Sequence, residues 1–176
     1  MNKIAKFEKV SFEQFAEDWC RFNNRTKLDD HTNEKLKEMY DKIKLPRRAT
    51  KGSAGYDFFM PYDAVLHVDA ARVIPTGIRC KIENGWVLKM YPRSGMGFKH
   101  GVTLANTVGI IDSDYYGSKN EGHIMIKLTN DKIPLANNVE LEEGSAFCQG
   151  VFVPFGITED DVADGVRDGG FGSTGK

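Results

Sequence analysis

Two patterns of apolar spacing meet near residue 46. Ahead of it, Phe12, Phe15, Trp19 and Phe22 recur at steps of three and four residues. That spacing puts them on one face of an amphipathic helix over Ser11 to Phe22. Ser11 followed by Gln14 has the form of a capping box. Leu36, Met39, Tyr40 and Ile43 predict a second helix over Thr32 to Ile43, with the polar stretch Asn23 to Asp30 as connector. Beyond Leu45-Pro46 the period shortens to two. Val73 to Ile82 and Trp86 to Tyr91 read as strands joined by Asn84-Gly85, a strong hairpin turn. In His123 to Leu128 the apolar positions Ile124, Ile126 and Leu128 alternate. Val151 to Phe155 reads as a short buried strand. Many short strands with turns between them predict a mainly β fold, a barrel or sandwich.

Composition sharpens the division. None of the 18 glycines precedes residue 46. The 176 residues suffice for one domain with a small extension. A formal net charge of −1 argues against a sequence-independent nucleic-acid binder, which needs a basic face for phosphates. It permits a small anion held by a few local cations. Cys20, Cys80 and Cys148 lie far apart, without metal-ligand or disulfide spacing, so a reduced cytoplasmic chain is expected. No run approaches the roughly 20 apolar residues of a membrane span, and Met1 to Val10 lacks a signal-peptide core.

Four stretches carry candidate chemistry. Arg167 to Lys176 is rich in glycine, which lets backbone N–H groups approach an anion. There Ser173 and Thr174 offer hydroxyl donors, Arg167 a guanidinium fork, and Phe171 a ring that can stack on a flat ligand. Gly170 to Lys176 matches G-x-x-x-x-G-K, but the following Ser/Thr and helix of a P-loop are missing. Arg93, Ser94, Gly95 and Gly97 after a predicted strand form a second anion cradle. Asp112 and Asp114 follow the apolar Gly109-Ile110-Ile111 and share a face if the backbone stays extended. Such carboxylates hold a metal, activate water or bond a sugar hydroxyl. Asp57 after Gly55-Tyr56 adds another. The same residues also fit blander roles: a loose glycine tail, a Pro/Gly turn and an Asp-rich turn. His67, His100 and His123 lack spaced partners and read as surface or strand residues. Glu142-Glu143 reads as a solvated turn.

Taken in order, these pieces resemble the trimeric deoxyuridine triphosphatase (dUTPase) family. The matches are Gly52-Ser53-Ala54-Gly55-Tyr56-Asp57, Pro92-Arg93-Ser94-Gly95, Gly109 to Gly117, Gln149 before an apolar strand, and Gly169 to Gly175, collinear over residues 46 to 176. Two departures stand out. Ala146-Phe147-Cys148-Gln149 lacks the arginine that usually stands three residues before the glutamine, and Arg167 is one residue closer to Phe171 than usual.

The resemblance implies a jelly-roll-like β-barrel over 46–166, a helical extension over 1–45, and a flexible arm over 167–176 that closes on a neighbour's site in a homotrimer. It implies hydrolysis of dUTP to dUMP and pyrophosphate with Mg²⁺. Asp112 would be the general base and Gln149 would help position the water. Arg93, Ser94, Gly95, Gln149, Arg167, Ser173 and Thr174 would hold phosphates, with Gly172 in the same arm, and Asp57 would hold the metal through water. Asn106, Gly109 and Ile111, on a hairpin strand from Asn106 to Ile111, would read uracil. Tyr115 would lie under the sugar and Phe171 on the base. A dCTP deaminase of the same fold is one alternative. A nucleotide-gated protein-binding regulator is the other, with a protein partner on the N-terminal helices.

Overall fold

The computed structural model describes residues 2–25, 29–130 and 137–167. Ser11 caps α1 (Phe12–Phe22), its hydroxyl oxygen accepting the Gln14 N–H at 3.1 Å. Only half of the expected capping box forms. Gln14 turns its amide to Asp18 at 2.9 Å, and the Ser11 N–H goes to the Glu121 carboxylate at 2.7 Å. A strand, β1 (Ala5–Lys9), precedes this helix. α2 (Asp30–Lys42) starts two residues earlier than the apolar pattern predicts, because Asp29 caps it by accepting the Thr32 N–H at 2.7 Å.

The α1 face predicted from spacing packs inward. Phe15 is fully buried, and Phe12 and Trp19 lie against the same core as Leu36, Phe58, Leu88, Leu128 and Phe147. Burying one such ring contributes about 2–3 kcal/mol. Three of the four residues of the apolar face expected to serve a protein partner, Phe12, Phe15 and Trp19, thus pack on the chain's own core. Among the described residues no helix is long and apolar enough to cross a membrane.

The remaining elements are β2 (Tyr56–Phe59), β3 (Ala64–Leu66), β4 (Ala70–Pro75), β5 (Ile78–Ile82), β6 (Trp86–Pro92), α3 (Ser94–His100), β7 (Thr103–Leu104), β8 (Gly109–Ile111), a 3-10 turn (Ser113–Gly117), β9 (Met125–Asn130), β10 (Val139–Leu141) and β11 (Ala146–Pro154). The mainly β class expected from the sequence is the class observed. Antiparallel pairing gives a four-stranded sheet β2-β11-β6-β8, a three-stranded sheet β4-β9-β7, and the pairs β1-β5 and β3-β10.

Four expectations need correction. Val73 to Ile82 is two strands, broken at Thr76-Gly77, where Gly77 takes φ +73°. Asn84-Gly85 does turn the chain, with Gly85 at φ +83°, but β5 pairs with β1 while β6 pairs with β11 and β8. The chain turns there without making a paired hairpin. β11 runs from Ala146, and its buried part is Phe147, Cys148 and Gly150; Val151 to Val153 are half-buried and Phe155 is exposed. β9 starts at Met125, and His123, expected at the surface or on a strand, is wholly buried ahead of it.

Candidate active site

The Asn106 to Ile111 stretch is a strand only from Gly109. Before it, Thr107 sits at φ +64° and the chain changes sheets. β7 pairs with β9 (Leu104 facing Leu128), whereas β8 pairs with β6 (Ile111 facing Leu88, Gly109 facing Met90). Where the two strands part, a pocket of about 580 Å³ opens, lined by Met90, Asn106, Ile111, Tyr115, Lys127 and Arg167 among others. That volume suits a small organic ligand. Gly109 floors it closely: a Cβ there would sit 3.0 Å from the Met90 Cβ. Asn106 and Ile110 are exposed at the pocket, so the β8 backbone is within a ligand's reach.

Asp112 leaves β8 in extended conformation and stands at the N-cap position of the 3-10 turn, with no side-chain cap bond. The backbone therefore does not stay extended through Asp114, as the shared-face expectation required. Arg167 brings the two carboxylates together instead. Its guanidinium donates to Asp112 Oδ2 and, at 2.7 Å, to Asp114 Oδ1. Its carbon centre lies 5.9 Å from the Tyr115 ring centroid. Tyr115 is 4% exposed, and burial pushes its phenol above the usual value. Its hydroxyl donates to the His123 carbonyl and accepts the Asn120 amide, both at 2.8 Å. A ring fixed at its far end makes a rigid wall.

A second cluster gathers the other motifs. β11 runs between β2 and β6, so Gln149 faces Asp57 on one side and Tyr91 on the other. Arg93 Nε lies 3.2 Å from Asp57 Oδ1, and the Gln149 amide donates to the Pro92 carbonyl at 3.4 Å. Gly55 leaves room for that amide, since a Cβ there would meet Gln149 Oε1 at 2.5 Å. Arg93 is the N-cap of α3 and makes no side-chain cap bond, which leaves Ser94 and Gly95 in an uncapped first turn. Backbone donors beside a guanidinium suit phosphate oxygens.

Among the described residues no three His, Cys, Asp or Glu side chains group as a metal cage. Asp57 beside Arg93 is a single carboxylate. Such a donor set fits a magnesium ion that keeps its waters and takes most of its oxygens from a phosphate ligand. Phe171, Gly172, Ser173 and Thr174 lie outside the described residues.

The two clusters stand apart on one chain. Ile111 faces Leu88, Gln149 faces Tyr91, and β6 lies between β8 and β11. With strands about 4.8 Å apart and a rise of about 3.3 Å per residue, Ile111 and Gln149 are separated by roughly 14 Å.

Sequence reasoning missed the groups behind Tyr115. Asp18 is 3% exposed and its Oδ2 lies 2.7 Å from His123 Nδ1. No motif spacing signals a pair 105 residues apart.

Known proteins resemble this chain over most of its length. A family model described as dUTPase matches residues 41–175. The deoxyuridine 5'-triphosphate nucleotidohydrolase of Lactococcus lactis subsp. lactis is 40% identical over 136 residues, 76% of this chain and 89% of that protein. That of Pectobacterium carotovorum subsp. carotovorum is 39% identical over 140 residues, 75% of this chain and 87% of that protein. The crystal structure of dUTPase from Streptococcus mutans superposes with a TM-score of 0.62 at 30% identity, covering 87% of this chain and 98% of that one. The pocket where β7 and β8 part, the acidic turn beside it and the Asp57–Arg93–Gln149 cluster are therefore carried by a chain that belongs to the dUTPase family.

Proposed function

We propose that this protein hydrolyses dUTP to dUMP and pyrophosphate, keeping uracil out of DNA and supplying dUMP for thymidylate synthesis. The observation that carries the reading is the pocket floored by β8 and walled by Tyr115, with Asp112 at the end of the same strand. The uracil edge meets the β8 backbone at Gly109 and Ile111 and the Asn106 amide. A wrong base leaves buried polar groups unpaired, which discriminates strongly. Tyr115 lies under the deoxyribose and leaves no room for a 2′-hydroxyl.

Asp112 accepts a proton from a water whose oxygen attacks the α-phosphorus in line. The bond from that phosphorus to the bridging oxygen breaks, and pyrophosphate leaves. An ordinary carboxylate is a weak base, so positioning supplies most of the rate. Arg93, Ser94, Gly95 and Gln149 hold the phosphates, and Gln149 also orients the water. Asp57 would hold a magnesium ion through the ion's waters. That ion, when bound, neutralises charge on the triphosphate. Arg167, Phe171, Gly172, Ser173 and Thr174 close over the nucleotide and exclude bulk water.

Asp112 and Gln149 must both reach one phosphate chain, yet Asp112 continues one residue past Ile111, which puts the two strand positions roughly 16 Å apart on one chain. The reading therefore combines Asp112 of one subunit with Arg93 and Gln149 of another, in a homotrimer with intersubunit sites. Its setting is the cytoplasm, where Cys20, Cys80 and Cys148, all free, stay reduced.

Pyrophosphate release is measured from dUTP, dTTP, dCTP and UTP, with and without Mg²⁺. Release from dUTP alone, strengthened by Mg²⁺, is expected. Equal release from dTTP or UTP, or ammonia release from dCTP, overturns the proposal.

A further inference from the structure

Residues 8–18 lie ahead of position 41, where the family match begins, yet they grip the segment that follows Asp112. Tyr116 donates its hydroxyl to Glu8 at 2.6 Å. Glu121 accepts both the N–H and the hydroxyl of Ser11, at 2.7 and 2.6 Å. The third grip is buried. His123 is wholly enclosed, and its Nε2 accepts the Gly77 N–H at 2.8 Å. With Nε2 accepting, Nδ1 carries the proton and donates it to Asp18 at 2.7 Å. Gln14 donates to the same Asp18 oxygen at 2.9 Å.

Pinning both nitrogens fixes the His123 ring and, with it, the position of its backbone. The His123 carbonyl is the acceptor for the Tyr115 hydroxyl at 2.8 Å. The His123 N–H bonds the Asn120 carbonyl at 3.0 Å, and the Asn120 amide returns to the Tyr115 hydroxyl at 2.8 Å. The path from Asp18 to the pocket wall is therefore unbroken: carboxylate, imidazole, carbonyl, phenol. Each partner is buried or half-buried, where a lost hydrogen bond leaves an unpaired polar group and the geometry must shift.

We propose that Asp18 is a positioning residue for sugar selection: acting through His123, it holds the Tyr115 ring at the height that rejects a ribose 2′-hydroxyl. The inference rests on Tyr115 lying under the sugar, as in the reaction above. It gives the N-terminal segment a task in specificity in addition to stability. Asp112 is held by other groups, the end of β8 and the Arg167 guanidinium, so the relay touches choice of sugar more than turnover of dUTP.

The test measures kcat/KM for dUTP and UTP, together with Tm, in the full chain and in four variants. Asp18→Leu removes the acceptor and should raise the UTP-to-dUTP ratio about tenfold, with a smaller change in kcat on dUTP. Asp18→Asn keeps a carbonyl oxygen for both donors and should restore the ratio. Leu36→Ala, a core truncation on α2 with Leu36 at 1% exposure, should lower Tm and leave the ratio unchanged. Tyr115→Phe cuts the last link while keeping the ring, and should raise the ratio even if Asp18→Leu fails to fold. An unmoved ratio in Asp18→Leu or Tyr115→Phe, or an equal rise in Leu36→Ala, overturns the inference while dUTP turnover stands. A wild-type protein inert toward dUTP overturns the reaction and the inference together.

Discussion

Replacing Gly122 by alanine should strike the same wall from the backbone side. Gly122 sits at φ +69°, and a Cβ there would lie 2.7 Å from both the Tyr115 carbonyl oxygen and the Tyr116 Cα. Holding alanine in the left-handed region costs roughly 1–2 kcal/mol. The clash adds a second cost, because both contacts are backbone atoms that no rotamer change can move. Overpacking of this kind costs about 1–3 kcal/mol. Gly85 supplies the control: its φ is +83°, and a Cβ there meets nothing within 4 Å. Gly85→Ala therefore bears the conformational cost alone. At this chain length 1 kcal/mol moves Tm by about 2–4 °C. Gly122→Ala should melt roughly 2–12 °C below Gly85→Ala at equal protein concentration, read by thermal unfolding monitored by circular dichroism. It should also raise the UTP-to-dUTP ratio, which Gly85→Ala should leave alone. Two variants that melt within about 1 °C of each other, with the same ratio, would refute the claim that this backbone is locked under Tyr115.

Further outcomes follow from the same geometry. Asp112→Asn should lower kcat on dUTP by about 10²–10⁴-fold while dUTP binding, measured by calorimetry, stays close to wild type; parallel loss of binding contradicts its role as base. Burial holds the Cys80 thiol up at about 12 and the Cys148 thiol well above its ordinary value. Iodoacetamide at neutral pH should therefore label Cys20 first and reach the other two only on unfolding, which peptide mass spectrometry would show. Burial raises the Glu121 carboxyl, but the two hydrogen bonds from Ser11 and the nearby positive charge, Arg79 foremost, together hold the group below its ordinary 4.5. Its contribution is complete above that value and is lost as pH falls through the depressed one. Denaturant titrations from about pH 5 to 3 should show a shallower loss of stability in Glu121→Gln than in wild type.

What the sequence made legible was local or collinear. Helix α1 was readable because a period of 3.6 and a serine cap act within a dozen residues. The motifs around Asp57, Arg93, Asp112 and Gln149 were readable because their order along the chain is itself specific. Sheet pairing was not. Asn84-Gly85 does form a turn, with Gly85 at positive φ, but β5 takes β1 as partner, and nothing near residue 84 encodes that choice. The same limit hid the pocket, which exists because β7 and β8 part into different sheets. His123 misled for a related reason. Its partners, Asp18 and Gly77, come from distant segments, so an isolated histidine with no motif around it reads as ordinary surface.

The claim on which the reaction rests is that one copy's Asp112 serves a phosphate chain held by another copy's Arg93. Two inactive variants, Asp112→Asn and Arg93→Ala, can be unfolded together in equal amounts and refolded as mixed assemblies. If each site draws the two residues from different subunits, about one site in four regains both, and the mixture should recover about a quarter of wild-type dUTP turnover. If both residues act within one chain, every site carries a defect, and a mixture as inactive as its parents would contradict the account.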